Sequence, residues 1–137
     1  MTAAQSASLM LDTNIVSHIM QGRDTALLQK LSQATVGEVV ISSVTLAELE
    51  YGLSRKGHPP RLKNALDQLL LRVDVLSWDE IVARCYGELC ASLEASGISL
   101  SDMDMMIAAH AVSADATLIS RDKAFGQMPQ RLRVQVW

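Results

Sequence analysis

The chain has 137 residues, of which 49% are hydrophobic and 20% are charged. This length suits one domain with a core that needs no disulfide or structural metal, and the composition excludes a largely disordered protein. The formal net charge of −3 does not by itself indicate a nucleic-acid partner.

Strands and helices alternate along the predicted fold, after an unpatterned leader at residues 1–7. Short apolar runs predict strands at 9–11, 39–41, 73–76, 117–120 and 132–136. Apolar residues at helical spacing predict helices within 15–20, 27–31, 46–53, 62–70, 78–93 and 103–114. Because strands alternate with helices through short connections, residues 8–137 are expected to form a single domain. Its predicted fold class is α/β, a three-layer α/β/α sandwich with a mainly parallel central sheet.

Targeting signals, membrane spans and disulfides are not expected. No apolar run approaches the roughly 20 residues that a membrane helix requires, and no secretory signal pattern opens the chain. Cys85 and Cys90 fall in one predicted helix, about 140° apart around its axis, so they should not pair. We therefore expect a soluble, cytoplasmic protein with reduced thiols and no membrane partner.

Four acidic residues occupy the positions where a parallel α/β fold collects its chemistry. Asp12 and Asp122 follow predicted strands, while Glu48 and Asp104 are expected in the first turns of helices. These positions face one edge of an open parallel sheet, so all four carboxylates should converge there. If these four of the 15 acidic residues are set aside, the 12 basic residues leave a charge of +1, which is compatible with binding a phosphate backbone.

Each acid also has a purely structural interpretation. Asp12 and Asp122 could favour the starts of helical turns. Glu48 could close a capping box on Thr45, and Asp104 could do the same with Ser101. Taken singly, the structural interpretation is the stronger one, and only the combination of four acids favours a functional site.

A cluster of carboxylates suits a hard divalent cation. Mg²⁺ prefers oxygen ligands and keeps several of its waters, whereas the sulfur ligands typical of structural zinc are missing from the predicted site. Hydrolysis of a phosphodiester needs an activated water and neutralisation of the charge that develops around phosphorus, both of which divalent ions provide. The pattern therefore predicts a nuclease that depends on Mg²⁺ or Mn²⁺.

Four segments in order resemble the VapC-type toxins of the PIN-domain ribonuclease family. They are Leu-Asp-Thr-Asn-Ile at 11–15, Ser-Val-Thr-Leu-Ala-Glu-Leu-Glu-Tyr-Gly at 43–52, Asp-Met-Met-Ile-Ala-Ala-His-Ala at 104–111, and Leu-Ile-Ser-Arg-Asp at 118–122. The resemblance extends from Leu9 to Trp137. Two departures are visible: Asp102 adds an acid beside Asp104, and many relatives have Asn at the position of Asp122.

The resemblance implies specific roles for these residues. The catalytic set is Asp12, Glu48, Asp104 and Asp122, supported by the polar residues Thr13, Asn14 and Ser120. We expect Asp12 and Asp104 to coordinate the principal metal ion, Asp122 to complete or support a second, and Glu48 to orient or deprotonate the attacking water. The resemblance further implies an RNA substrate, a cognate VapB-type antitoxin and a homodimer. We expect the RNA to be initiator tRNA, with messenger RNA and ribosomal RNA as alternatives.

Basic residues offer candidate RNA contacts. The densest stretch surrounds the Pro59-Pro60 break, where a solvated loop is the equally weighted alternative, and a further candidate adjoins Asp122. These candidates are Arg55, Lys56, Arg61, Lys63 and Arg121, with His58 in the same stretch. Arg121 could instead form a salt bridge in the negative field of the site. His110 lies on an apolar helical stripe and is expected to be packed and hydrogen-bonded, outside the catalytic set.

Two other functions are compatible with parts of the pattern. Asp12 after a first strand could be the nucleophile of an aspartyl-phosphate phosphatase, although Asn14 stands where such enzymes usually carry a second Asp. Alternatively, the domain could bind RNA or an antitoxin without catalysis. Retention of all four acids argues against that loss of activity.

Overall fold

The computed structural model describes residues 8–128 and 131–137, so the predicted leader at 1–7 lies outside the described residues. Strands and helices alternate along this part of the chain. Its strands are β1 (Leu9–Leu11), β2 (Val39–Ser42), β3 (Asp74–Leu76), β4 (Thr117–Ile119) and β5 (Val134–Gln135). Its helices are α1 (Thr13–Gln21), α2 (Thr25–Gln33), α3 (Ser43–Arg55), α4 (Pro60–Arg72), α5 (Glu80–Ala95) and α6 (Asp102–Ser113), followed by a 3-10 helix at Lys123–Gln127.

The strands form a parallel sheet in the order β3-β2-β1-β4-β5 within the described residues. β1 lies at the centre, where it pairs with β2 on one side and with β4 on the other. Crossover helices connect the strands, and the predicted α/β/α sandwich with a parallel sheet is confirmed. The carboxyl ends of β1 and β4 are therefore neighbours, although more than 100 residues separate them in sequence.

The two faces of the sheet carry two separate apolar clusters, because successive strand residues point to opposite sides. Met10 and Leu118 face the cluster that includes α5 and α6. Leu11 and Ile119 face the other cluster, which α1 to α4 cover. Near-complete burial of both neighbouring strands explains why β1 and β4 appear in the sequence as continuous apolar runs.

Short polar signals determine where the helices begin and end. Asp12 caps α1 through its carboxylate, and Gly22 ends that helix with a φ of 71°, in the left-handed region that glycine tolerates. α3 begins at Ser43, capped by Ser42, one residue after the strand-forming run. Pro60 occupies the first position of α4, where its missing N–H has no cost.

Two expected boundaries were wrong by small amounts. The last strand is confined to Val134–Gln135 rather than extending over 132–136, and Leu132 is instead buried in the core. Trp78 precedes α5, which begins at Glu80 after an Asp79 cap.

Cys85 and Cys90 are free thiols, as predicted. Each helix in the described part of the chain is too short or too polar to cross a membrane.

The leucines of α4 provide a test of this core. Leu66 is 1% exposed, whereas Leu71 on the same helix is 81% exposed. We expect Leu66→Ala to lower the free energy of unfolding by about 3 kcal/mol, because it leaves a cavity, and Leu71→Ala to change it by less than about 0.5 kcal/mol. Urea unfolding followed by circular dichroism measures both. Equal effects of the two substitutions would contradict the assigned packing of α4.

Candidate functional site

Asp12 lies where the central strand becomes a helix. Its backbone N–H donates to the Ile119 carbonyl at 3.1 Å, which joins the ends of β1 and β4. Its carboxylate Oδ1 accepts a hydrogen bond from the Ile15 N–H at 2.8 Å, so the predicted capping role is confirmed. Only 4% of Asp12 is exposed. A buried carboxylate that accepts only one backbone hydrogen bond keeps lone pairs that could bind a cation.

The electrostatic surroundings of Asp12 connect it with two of the other acids. Burial raises the pKa of Asp12 above its ordinary value of 3.8, and the negative charges of Asp104 and Asp122 raise it further. The Ser120 hydroxyl and the Ile15 N–H favour the charged form and partly offset this effect. Two of the other predicted acids therefore lie close enough to act on Asp12 at the carboxyl edge of the sheet.

Asp104 and Asp122 are held by local backbone contacts. The Asp104 N–H donates to the Ser101 Oγ at 3.2 Å at the start of α6, as half of the expected capping box. Asp122 caps the 3-10 helix through a 2.9 Å contact from the Ala124 N–H to its Oδ1. Asp104 is partly buried and Asp122 is exposed. Both acids thus combine a structural role with a position near Asp12.

The expected position of Glu48 was wrong by about one turn. Because α3 begins at Ser43, Glu48 lies in the second turn and does not form a capping box with Thr45. Its Oε1 instead accepts a hydrogen bond from the Thr13 Oγ1 at 2.6 Å. Glu48 is not among the charges that shift the pKa of Asp12. It is connected to the site through Thr13, the residue next to Asp12.

The predicted supporting residues occupy three different positions around Asp12. Thr13 anchors Glu48, and its hydroxyl also lies 3.3 Å from the buried Thr45 Oγ1, a contact that sequence analysis missed. Ser120 is 1% exposed and its Oγ accepts the Asp122 N–H at 3.0 Å, which orients the chain after β4. Asn14 is exposed and lines a cavity of about 240 Å³ with Asp122.

The basic candidates divide into two groups. Arg55 and Lys56 line a cavity of about 200 Å³ together with Thr13 and Glu48, so their positions adjoin the site. The remaining three make contacts within the protein: Arg61 donates to the Gln21 carbonyl at 2.8 Å, Lys63 pairs with Asp67 at 3.0 Å, and Arg121 pairs with Asp24 at 2.7 Å. The expected salt bridge of Arg121 exists, but its partner is Asp24 rather than an acid of the site.

His110 is a packed residue, as predicted. It is 2% exposed, and its Nδ1 lies 2.7 Å from the Ser42 Oγ. Burial lowers its pKa, so the imidazole is neutral at physiological pH. The contact joins α6, which carries Asp104, to the capping residue of α3, which carries Glu48.

The donor atoms of the site are compatible with a hard divalent cation. Carboxylate and hydroxyl oxygens surround Asp12. A cation would stabilise the ionised form of Asp12, whose pKa is raised mainly by burial and to a smaller degree by the charges of Asp104 and Asp122. Among residues 8–128 and 131–137, however, no three His, Cys, Asp or Glu side chains are arranged so that they could together hold a metal ion as they stand. An ion here would need side-chain rotation or several water ligands, which Mg²⁺ ordinarily keeps.

Comparisons with known proteins identify the family. The PIN domain model matches residues 9–130. Ribonuclease VapC2 of Haemophilus influenzae is 32% identical over 128 residues, which cover 93% of this chain and 96% of that protein. The tRNA(fMet)-specific endonuclease VapC of Shigella flexneri is 30% identical, with the same coverage of both chains.

Solved structures resemble the chain over nearly its full length. VapBC2 from Rickettsia felis, bound to a DNA fragment from its promoter, matches with a TM-score of 0.84 and 29% identity, covering 94% of this chain and 98% of that chain. DNA-bound VapBC from Salmonella typhimurium matches with a TM-score of 0.88 and 27% identity, covering 96% and 99%.

Two capping aspartates with opposite pKa shifts test the electrostatics of the site. The folded state raises the pKa of Asp12 through burial, so ionisation opposes folding and stability falls as pH rises through the folded pKa. Since Asn also caps helices, we expect Asp12→Asn in the presence of chelator to unfold at a higher temperature than wild type at neutral pH. This difference should vanish as the pH approaches 3.8.

Asp24 is the matched control for this measurement. The Leu27 N–H and Arg121 lower its pKa, so its charge stabilises the fold at neutral pH and this stabilisation is lost in acid. Asp24→Asn should therefore unfold at a lower temperature than wild type near neutral pH. Thermal unfolding of both variants across a pH series provides the comparison. Shifts of the same sign at neutral pH would refute the electrostatic assignment.

Proposed function

This chain belongs to the PIN-domain family and, within it, to the VapC ribonucleases, and we propose that Asp12, Glu48, Asp104 and Asp122 form its catalytic site. It is an endoribonuclease and the toxin of a toxin–antitoxin pair. The observation that carries the site assignment is that the charges of Asp104 and Asp122 both act on Asp12, which lies at the end of β1 beside the end of β4. The relatives named as ribonucleases favour this function over a phosphatase or a non-catalytic domain.

A divalent metal ion fits this function. Ribonucleases of this family generally depend on one, and we propose Mg²⁺ or Mn²⁺ because the available donors are hard oxygen atoms. Asp12 and Asp104 are the principal ligands in this proposal, and Asp122 supports a second ion. When bound, such a cation supplies positive charge that acidifies water and offsets the charge developing on the phosphate.

The protein side chains hold the substrate and move the proton. Thr13 donates to the Oε1 of Glu48, which leaves the Oε2 as the proton acceptor for an attacking water. The water oxygen forms a bond to phosphorus and Glu48 takes its proton. The bond from phosphorus to the leaving ribose oxygen breaks, and that oxygen takes a proton from solvent water. Arg55 and Lys56 are the best-placed contacts for the RNA backbone, because both line the cavity that Glu48 also lines, whereas Arg61, Lys63 and Arg121 hydrogen-bond or pair elsewhere in the protein.

Initiator tRNA is the substrate that we propose. A relative that is 30% identical over 93% of this chain is named a tRNA(fMet)-specific endonuclease. Cleavage of a folded tRNA by a small domain requires an accessible single-stranded segment, and the anticodon loop presents such unpaired nucleotides. The proposal narrows the endoribonuclease activity to one RNA. We also propose that the enzyme acts in the cytoplasm, where this substrate is found.

A VapB-type antitoxin and a second copy of the chain are the proposed protein partners. The solved VapBC complexes support the antitoxin, because they align with almost the whole of this chain. Large apolar side chains that remain exposed, including Leu71 at 81% and Ile81 at 61%, offer surface that a protein partner would cover. Light scattering of the isolated toxin and of its antitoxin complex measures both associations.

Two neighbouring acids of α6 give a matched test of the catalytic site. Asp104 contributes to the charge around Asp12, whereas Asp102 is exposed and is not among the charges that act on Asp12. We expect Asp104→Asn to lower kcat/KM for initiator tRNA by about 100-fold or more, because even outer partners of metal ligands are worth about 10-fold to 100-fold. Asp102→Asn should change it by less than about threefold, the usual effect of an exposed surface charge.

Cleavage of purified initiator tRNA with Mg²⁺ or Mn²⁺ measures both variants, with chelator as the blank and an elongator tRNA as the substrate control. Wild-type cleavage that survives chelation would eliminate the metal proposal. Equal cleavage of both tRNAs would eliminate the proposed substrate preference. If Asp104→Asn retains the activity of Asp102→Asn, the assignment of Asp104 is incorrect.

A further inference from the structure

Gly52 lies in the interior of a helix, and no neighbouring atom of the chain requires a glycine at that position. It lies in the C-terminal half of α3, where glycine is the least favourable residue after proline. A Cβ built at Gly52 would meet no heavy atom within 4 Å, and the backbone there does not require a positive φ. The missing side chain therefore serves neither close packing nor a turn within this chain.

The space next to Gly52 is part of the cavity beside the proposed catalytic acid. Glu48, Gly52 and Arg55 lie at helical positions i, i+4 and i+7, so they share one face of α3. All three line the cavity of about 200 Å³ that Thr13 and Lys56 also border. A side chain at position 52 would project into that cavity.

Tyr51 does not line this cavity, but its exposed aromatic ring contacts Arg55, which does. It follows Glu48 by three positions, and 66% of it is exposed. The Arg55 guanidinium lies over the ring, 5.7 Å from its centroid. One face of the ring is therefore covered by a cation while the remainder faces solvent. An exposed tyrosine held in this way is a typical platform for an unpaired base.

We propose that Tyr51, Gly52 and Arg55 form a subsite for one unpaired nucleobase of the RNA, next to the scissile phosphate. This inference rests on the proposed function, because it identifies how that site recognises single-stranded RNA. The base stacks on Tyr51 and Arg55, and the absence of a side chain at Gly52 leaves room for its edge. Ser17 and Gln21 on the opposite wall of the cavity supply polar groups for that edge.

The chemistry of the cavity favours a base over an isolated phosphate group. A phosphate would be served by Arg55 and Lys56 alone, and it would gain nothing from an exposed aromatic ring or from apolar lining. Met20, Leu49 and Leu62 provide such lining deeper in the cavity. A flat base with one polar edge matches the Tyr51 ring beside Arg55 together with a cavity wall of apolar side chains, the Ser17 hydroxyl and the Gln21 amide.

Gly87 provides a matched control for substitutions at Gly52. Both glycines lie inside long helices, and a Cβ at either meets no heavy atom within 4 Å, but Gly87 lies on α5 and does not line this cavity. Gly52→Leu and Gly87→Leu should both raise the unfolding temperature, because leucine favours helix. Only the substitution at position 52 should impair RNA binding. The comparison therefore separates helix stability from occupancy of the cavity.

Binding is measured in the cleavage-deficient Asp12→Asn background, with the anticodon stem-loop of initiator tRNA as the fluorescent probe. We expect Gly52→Leu and Tyr51→Ala each to raise the Kd about tenfold, which corresponds to the binding free energy of one stacked base. The controls Gly87→Leu and Tyr51→Phe should change the Kd less than about twofold. A fully paired RNA duplex should bind all these variants equally, because it offers no free base.

Probes that lack one loop base at a time identify the base that occupies the subsite. Removal of that base should weaken binding by Asp12→Asn protein, yet have no further effect when Gly52→Leu is also present. Equal binding by the Gly52→Leu and Gly87→Leu proteins would overturn the subsite. It would also be overturned if Gly52→Leu impaired binding of the cognate antitoxin and left RNA binding intact. If the unmodified enzyme cuts no RNA, the proposed substrate fails instead, whatever these binding constants are.

Discussion

The burial of the Asp12 carboxylate, within range of the charges of Asp104 and Asp122, dominates the energetics of this site. Burial and two neighbouring negative charges make the ionised form of Asp12 unfavourable, so the fold must hold these groups together against their own electrostatics. The parallel sheet does this by placing the ends of β1 and β4 side by side, with the Asp12 N–H bonded to the Ile119 carbonyl. A buried carboxylate held in this way is well suited to capture a cation.

The acids are fixed by contacts that also terminate or start secondary structure. Asp12 and Asp122 cap helical segments, and Asp104 follows the Ser101 cap. Glu48 is held differently, by a hydroxyl of α1 rather than by its own helix. The buried contact of His110 with Ser42 joins the two helices that carry Asp104 and Glu48. Structural roles and the proposed catalytic roles therefore fall on the same positions, and one does not exclude the other.

The positions of the acids that follow strands could be predicted from the sequence, because two rules apply there whatever the tertiary packing is. A buried apolar strand followed by Asp predicts both a cap and a position at the carboxyl edge, and this located Asp12 and Asp122. The position of Glu48 was missed because the β-favouring run ends at Ser42 and the helix begins at once, so the Thr45 capping box never forms. The pairing of Arg121 with Asp24 and the exposure of Tyr51 depend on packing between distant segments, which local patterns do not encode.

We propose that Asp12 and Asp104 share a divalent cation. Titration of the isolated protein with Mn²⁺ is the direct measurement of this shared site. Electron paramagnetic resonance counts free Mn²⁺ during titration, without any need for RNA or activity. Saturable binding to wild type that is lost in both Asp12→Asn and Asp104→Asn, but kept in Asp102→Asn, is the result that this account predicts. Undiminished saturable binding in either of the first two variants would contradict it.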